Sequence, residues 1–146
     1  MIKKFTINFE EGLPRTTAQQ KGETIRRRAD GTHYIQHYTK EKVQALKTEL
    51  AYKMRRYAPA IPTQEPVRLI VFIAFDVKDK TLWGQYKTTR PDGDNYLKTI
   101  KDVMTDCGFW LDDALVCDER VVRTYAERGS ILVQMETLPQ PRRYKV

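Results

Sequence analysis

The chain of 146 residues is expected to fold as a single α+β domain, a mixed β-sheet with two main helices packed on it. Three patterns predict this. Apolar residues alternate with polar ones in 2–9, crowd into a β-rich run in 67–77, and return in two strand-like stretches after 115. Residues 39–57 and 92–107 instead carry apolar side chains at helical spacing. The resulting order is strand, hairpin, helix, strand, helix, strand, strand, which suits helices layered on one sheet. A chain of this length buries roughly 68 to 70% of its unfolded surface, enough for one core. Residues 1–138 are read as the domain and 139–146 as a basic C-terminal tail.

The first strand sets Ile2, Phe5, Ile7 and Phe9 against Lys3, Lys4, Thr6 and Asn8, and ends in Gly12-Leu13-Pro14. Segments 24–28 and 32–37 flank Asp30-Gly31, a dipeptide suited to a hairpin turn. In the first helix Thr39 is the expected cap, Val43, Leu46, Leu50 and Met54 form the stripe, and Pro59 and Pro62 stop it. Residues 67–77 are apolar on both faces, so a central strand buried on both sides is expected. Residues 78–90 read as a mobile basic loop bearing Trp83 and Tyr86. Tyr96, Leu97, Ile100, Val103 and Met104 stripe the second helix, which Gly108 closes. The strands 115–125 and 131–137 are expected to pair as an antiparallel hairpin around Glu127-Arg128-Gly129-Ser130.

Composition narrows the partners. With 26 Lys and Arg against 19 Asp and Glu the net charge is +7, which favours an acidic partner, most commonly nucleic acid. There is no apolar run near 18 residues and no signal or lipidation pattern, so no membrane association and a cytoplasmic location are expected. Cys107 and Cys117 are too few for a zinc site and are expected to be reduced and partly buried. His33 and His37 lie in a stretch that alternates like a strand, which favours exposed imidazoles over a metal pair.

The charge is unevenly spread. Residues 92–119 hold eight acidic and two basic residues, a local charge of −6, leaving +13 on the rest of the chain. Crowded carboxylates repel, and a divalent cation, hydrogen bonds or plain solvation must relieve them. Asp92 and Asp94 stand at the mouth of the second helix, Lys98 follows one turn later, and Asp112-Asp113 arrives after the helix returns. Were the start of the last strand pair to lie beside that helix N-terminus, these carboxylates would converge as hard oxygen ligands for Mg²⁺ or Mn²⁺. Taken singly each has a plainer reading: a helix cap, an i,i+4 ion pair worth about 0.3 to 0.5 kcal/mol, or a turn. Pro91-Asp92 does not open a PD-(D/E)xK site, because no Asp or Glu followed two positions later by Lys occurs downstream.

Arg90-Pro-Asp92-Gly-Asp94-Asn95-Tyr-Leu-Lys98, joined to Gly108-Phe-Trp-Leu-Asp112-Asp113, resembles the RusA family of Holliday-junction resolvases, closely so over residues 90–125. The resemblance implies a homodimeric, Mg²⁺-dependent endodeoxyribonuclease, often phage- or prophage-encoded, that serves DNA recombination and repair. Such an enzyme cuts two opposing strands of a four-way junction symmetrically. By position, it implies Asp92, Asp94 and Asp113 as the metal carboxylates, with Asp112 the alternative to Asp113, and Lys98 as the essential lysine. Asp102, Asp106, Asp118 and Glu119 are left mainly structural. Gly93 stands where the family usually has an apolar residue, and is expected to loosen the loop. The segment 11–21 departs from the family's Pro- and Asn-rich element.

Arg26, Arg27, Arg28, Lys78, Lys80, Lys87 and Arg90 are the expected DNA-phosphate contacts, with Trp83 or Tyr86 stacking on unpaired bases. Phe109 and Trp110 are assigned to the core or a dimer interface. The competing reading is a non-catalytic DNA- or junction-binding protein, resting on the +13 outside the acidic segment; a protein-interaction module is the third.

Overall fold

A computed structural model describes residues 1–15, 21–39, 41–90 and 93–141, with only the backbone described for 21–24 and 36–39. The elements are β1 (Ile2–Phe9), β2 (Lys21–Arg27), β3 (His33–Thr39), α1 (Glu41–Met54), β4 (Val67–Asp76), α2 (Gly93–Asp106), β5 (Val116–Ala126) and β6 (Gly129–Thr137). They build a four-stranded mixed sheet in the order β1-β6-β4-β5 and a separate two-stranded ribbon of β2 and β3. The α+β architecture is as expected. Thr39, the expected cap of α1, is instead the last residue of β3, and the tail residues 142–146 lie outside the described residues.

The last two strands do not form a hairpin. β5 runs parallel to β4 on one side, β6 runs antiparallel to β4 on the other, and β6 also pairs antiparallel with β1. β4 therefore lies between them, and the link 127–128 steps over its end. Two strand spacings are about 9.6 Å, within reach of three Cα steps of about 3.8 Å, so so short a link allows this path as readily as a tight turn. α2 is the crossover between the parallel pair β4 and β5. It thus runs back along the sheet from the C-terminal toward the N-terminal end of β5, which decides where its two ends place their side chains.

Both helices cover one face of the sheet. Leu46, Leu50 and Met54 of α1 and Tyr96, Leu97, Ile100, Val103 and Met104 of α2 join Phe5, Ile7, Leu69, Val71, Ile73, Phe75, Val133 and Met135 in one buried cluster. Each such side chain contributes roughly 1.5 to 3 kcal/mol by leaving water. Phe109 and Trp110 are fully buried there, Phe109 stacked on Phe5, which settles them as core. β4 alternates strictly between buried and half-buried residues rather than being buried on both sides. Its second face, with Arg68, Ile70, Phe72 and Ala74, is covered by no helix among the described residues. Cys107 is half-buried and Cys117 exposed, both free thiols. Burial pushes the Cys107 thiol above its ordinary value.

Candidate active site and nucleic-acid interface

The site begins where α2 begins. Gly93 is its first residue, and a side chain there has almost no room: an ideal Cβ lies 3.0 Å from Val121 Cγ1 and 3.3 Å from Arg123 Nε. Gly93 therefore serves close approach to β5, where added looseness was expected. Asp94 follows in the first turn, exposed, where the positive end of the helix dipole favours a carboxylate. Among the described residues it makes no ion pair. Lys98, one turn on, leaves its side chain half in water with Nζ 3.9 Å from Asp102. Asp102 is held more closely by Lys47, at 3.3 Å, and Lys101 pairs with Glu119 at 2.9 Å. Asp92 lies outside the described residues.

The other carboxylates gather at the opposite end of α2. Gly108, at φ +83°, closes the helix with Phe109 N–H donating to the Met104 carbonyl and Gly108 N–H to that of Thr105, the paired bonds of a Schellman cap. The chain then packs Phe109 and Trp110 inward and turns at Asp112, whose Oδ1 accepts from Ala114 N–H at 2.8 Å. Asp113 begins the short turn of helix that follows and makes no ion pair among the described residues. A cleft of about 460 Å³ lies here, lined by Lys47, Asp102, Thr105, Asp106, Leu111, Asp112 and Asp113.

Within one chain Asp94 and Asp113 are therefore apart. Asp113 shares its cleft with Asp102 and Asp106, which stand eight and twelve residues beyond Asp94 on α2; at 1.5 Å rise per residue that is about 12 to 18 Å. A magnesium ion holds its oxygens at about 2.1 Å, so these two carboxylates of one chain do not share one. The condition for convergence is unmet because α2 crosses back along β5, setting the start of β5 beside the last turns of α2 and away from its first. Among the described residues no three His, Cys, Asp or Glu side chains are gathered to hold a metal ion.

The basic surface divides into exposed and internal groups. Arg26, Arg27 and Arg28 are exposed on the ribbon, whose turn is fixed by Asp30 accepting from Thr32 N and Oγ1. Ile25 and Ile35 pair across it, 73% and 58% exposed, and Arg28 lies over the Tyr34 ring. His33 stands in β3 as the alternation implied; the His37 side chain lies outside the described residues. Lys78, Lys80 and Arg90 are exposed.

Two expectations for 78–90 need correction. The segment is no mobile loop: Lys80–Leu82 form a helical turn, and backbone bonds from Gly84 to Tyr125, Tyr125 to Gln85 and Lys87 to Arg123 sew it to the edge of β5. Trp83 donates Nε1–H to the Val77 carbonyl and is partly covered, whereas Tyr86 is 75% exposed and presents the free ring. Lys87 is no phosphate contact, since it is 5% exposed with its ammonium between the Phe75 and Tyr125 rings. Its Nζ donates to the Thr89 carbonyl at 2.9 Å, to Thr89 Oγ1 and to the Arg90 carbonyl at 2.7 Å. Burial lowers its pKa, Arg123 and Arg15 add repulsion, and Tyr125 opposes them.

Sequence reasoning also missed the anchoring of residues 12–15. Leu13 N–H donates to Asp76 Oδ1 at 2.7 Å, Arg15 donates to the Asp76 carbonyl, and Tyr96 Oη donates to the Pro14 carbonyl at 2.7 Å. These partners are 61 to 82 residues apart, and no local pattern signals them.

Comparison with known proteins places these features in context. The family model described as Endodeoxyribonuclease RusA matches residues 12–136. A crossover junction endodeoxyribonuclease of Lactococcus phage r1t is 26% identical over 132 residues, covering 90% of this chain and 97% of the relative. That of Escherichia coli strain K12 is 49% identical over 64 residues, covering 44% of this chain and 53% of the relative. The Shigella sonnei protein of the same name matches to the same extent.

Proposed function

The chain belongs to the RusA endodeoxyribonuclease family, and from that premise we propose that it is a crossover junction endodeoxyribonuclease, a hydrolase that resolves four-way DNA junctions in the cytoplasm. The exposed Asp94 and the half-buried Asp113, neither with a cationic partner among the described residues, together with the exposed Lys98, are the observation that carries this reading. Hard, unpaired oxygens of this kind suit a divalent ion.

The separation of the two carboxylates along α2 favours a homodimer in which Asp92 and Asp94 of one chain meet Asp113 of the partner subunit. A two-fold axis then generates two equivalent sites, as two symmetric cuts require. Asp113 is preferred over Asp112, because an Asp112 oxygen is already engaged by Ala114 N–H.

These carboxylates would hold Mg²⁺ or Mn²⁺, which when bound polarises the scissile phosphate and acidifies water. The chain's own part is positional and electrostatic. Asp94 projects from a helix N-terminus fixed against β5. Lys98, only loosely paired with Asp102, is free to donate to a phosphate oxygen and offset charge as the water oxygen bonds to phosphorus and a P–O ester bond breaks. Arg26–Arg28, Lys78, Lys80 and Arg90 supply salt-dependent affinity for the duplex arms, and Tyr86 a stacking surface.

The test is cleavage of a synthetic four-way junction. Paired symmetric nicks in Mg²⁺, lost in EDTA and in Asp94→Asn while junction binding persists, are expected. Binding without nicking of any branched DNA by the folded protein, in Mg²⁺ or Mn²⁺, would leave a non-catalytic junction-binding protein as the function.

A further inference from the structure

We infer that Lys87 is a positioning residue for Asp94, an internal cation that fixes the backbone of Thr89 and Arg90 ahead of α2. The inference rests on the proposed metal-dependent cleavage and identifies what holds its ligands in place. Three acceptors converge on the Lys87 ammonium: the Thr89 carbonyl, Thr89 Oγ1 and the Arg90 carbonyl. All come from Thr89 and Arg90, just ahead of α2, and none is a carboxylate. A buried ammonium is costly to desolvate unless its donors are satisfied, so these acceptors cannot move away freely. The stem is fixed as well, since Nζ sits 5.0 Å from the Phe75 ring centre and 5.7 Å from that of Tyr125.

The same strand that contacts Lys87 makes the second attachment. Arg123 Nη1 donates to the Thr89 carbonyl at 2.9 Å, and the Tyr125 hydroxyl shares a hydrogen bond with Thr89 Oγ1 at 3.2 Å. Further on, Gly93 lies so close to β5 that a Cβ added there would meet Val121 and Arg123. Thr89 is thus hydrogen-bonded to β5, and Gly93, the first residue of α2, approaches the same strand closely. An ion-binding carboxylate such as Asp94 gains from this arrangement because it must be held at the right point before the ion adds its own attraction. A lysine satisfies all three acceptors here, where a hydroxyl donor would satisfy fewer.

Lys87→Met keeps the stem and removes the donors. Measured beside the wild type, it is expected to cut the junction about 10²-fold more slowly, the scale of a 1 Å misplacement. The Mg²⁺ concentration for half-maximal cutting should rise while junction affinity in EDTA stays within about twofold, because positioning acts on the chemical step and phosphate contacts act on binding. A merely structural role would instead lower affinity and cutting together along with the melting temperature. Should Lys87→Met not fold, Thr89→Val decides: this exposed residue loses the hydroxyl that Lys87 and Tyr125 share while its carbonyl stays bonded to Lys87, and slower cutting with a raised Mg²⁺ midpoint at unchanged melting temperature supports the assignment. Unchanged cutting and Mg²⁺ dependence in whichever variant folds overturns it. Wild-type protein that cuts no junction overturns instead the reading on which the assignment rests.

Discussion

Gly93→Ala tests whether α2 is set by close contact with β5. In an ordinary helix the change stabilises by about 0.8 to 1.0 kcal/mol. Here the new Cβ would lie 3.0 Å from Val121 Cγ1 and 3.3 Å from Arg123 Nε, against a comfortable carbon separation of about 3.5 to 4.0 Å. Helix start or strand side chain must give way by several tenths of an ångström. Overpacking of this kind costs about 1 to 3 kcal/mol, so the net expectation is a loss of about 0 to 2 kcal/mol. Val121→Ala removes the obstructing methyl and should recover about 1 kcal/mol of that strain, seen as a coupling energy in a double-mutant cycle. Urea unfolding of the four proteins measures it. Cleavage by Gly93→Ala should also fall about tenfold, since Asp94 rides on the displaced turn and an error of 1 Å costs about 10²-fold. A variant stabilised by the full helix propensity, with zero coupling to Val121 and wild-type cutting, would refute the reasoning.

Other perturbations follow from single contacts. Tyr96→Phe removes the hydroxyl that donates to Pro14 and should cost about 1 kcal/mol near neutral pH. Burial raises the Tyr96 pKa above 10.0, so the neutral phenol's stabilisation is complete below pH 10 and lost above it, by up to about 1.36 kcal/mol per pH unit. Urea midpoints between pH 9 and 11 should therefore converge for the two proteins as the wild type weakens. Thr105→Val strands the buried Trp110 indole N–H, now 2.8 Å from Thr105 Oγ1, and should cost about 1 to 3 kcal/mol by the same assay. Arg27→Ala should weaken junction binding evenly across sequences and reduce the salt-dependence slope by about 0.9, read from binding titrations at several salt concentrations.

The elements with regular periodicity were legible in the sequence, and what depended on long-range pairing was not. The α2 stripe from Tyr96 to Met104 is buried as its spacing demands, and Asp30-Gly31 turns the ribbon. The partner of β5 was misjudged because the short link read at Glu127-Arg128-Gly129-Ser130 suggests a hairpin, whereas only the intact sheet reveals that β4 intervenes. That one error carried into the site: a hairpin left the place of Asp113 open, while a βαβ crossover fixes it at the far end of α2 from Asp94. Lys87 illustrates the other limit. Its letter resembles any loop lysine, and only the rings of Phe75 and Tyr125, 12 and 38 residues away in sequence, turn it inward. Asp112 and Asp113 are equivalent as neighbours in sequence, whereas in the structure Asp112 accepts from Ala114 N–H.

Mixing two inactive proteins tests the central claim most directly. If each site takes Asp94 from one chain and Asp113 from its partner, Asp94→Asn and Asp113→Asn subunits, refolded together, form heterodimers with one intact site and one doubly damaged site. Nicking of a four-way junction should return, confined to one strand per binding event, in a mixture whose components are each silent. A mixture that exchanges subunits yet stays silent, while the wild type cuts, would contradict a site shared between chains.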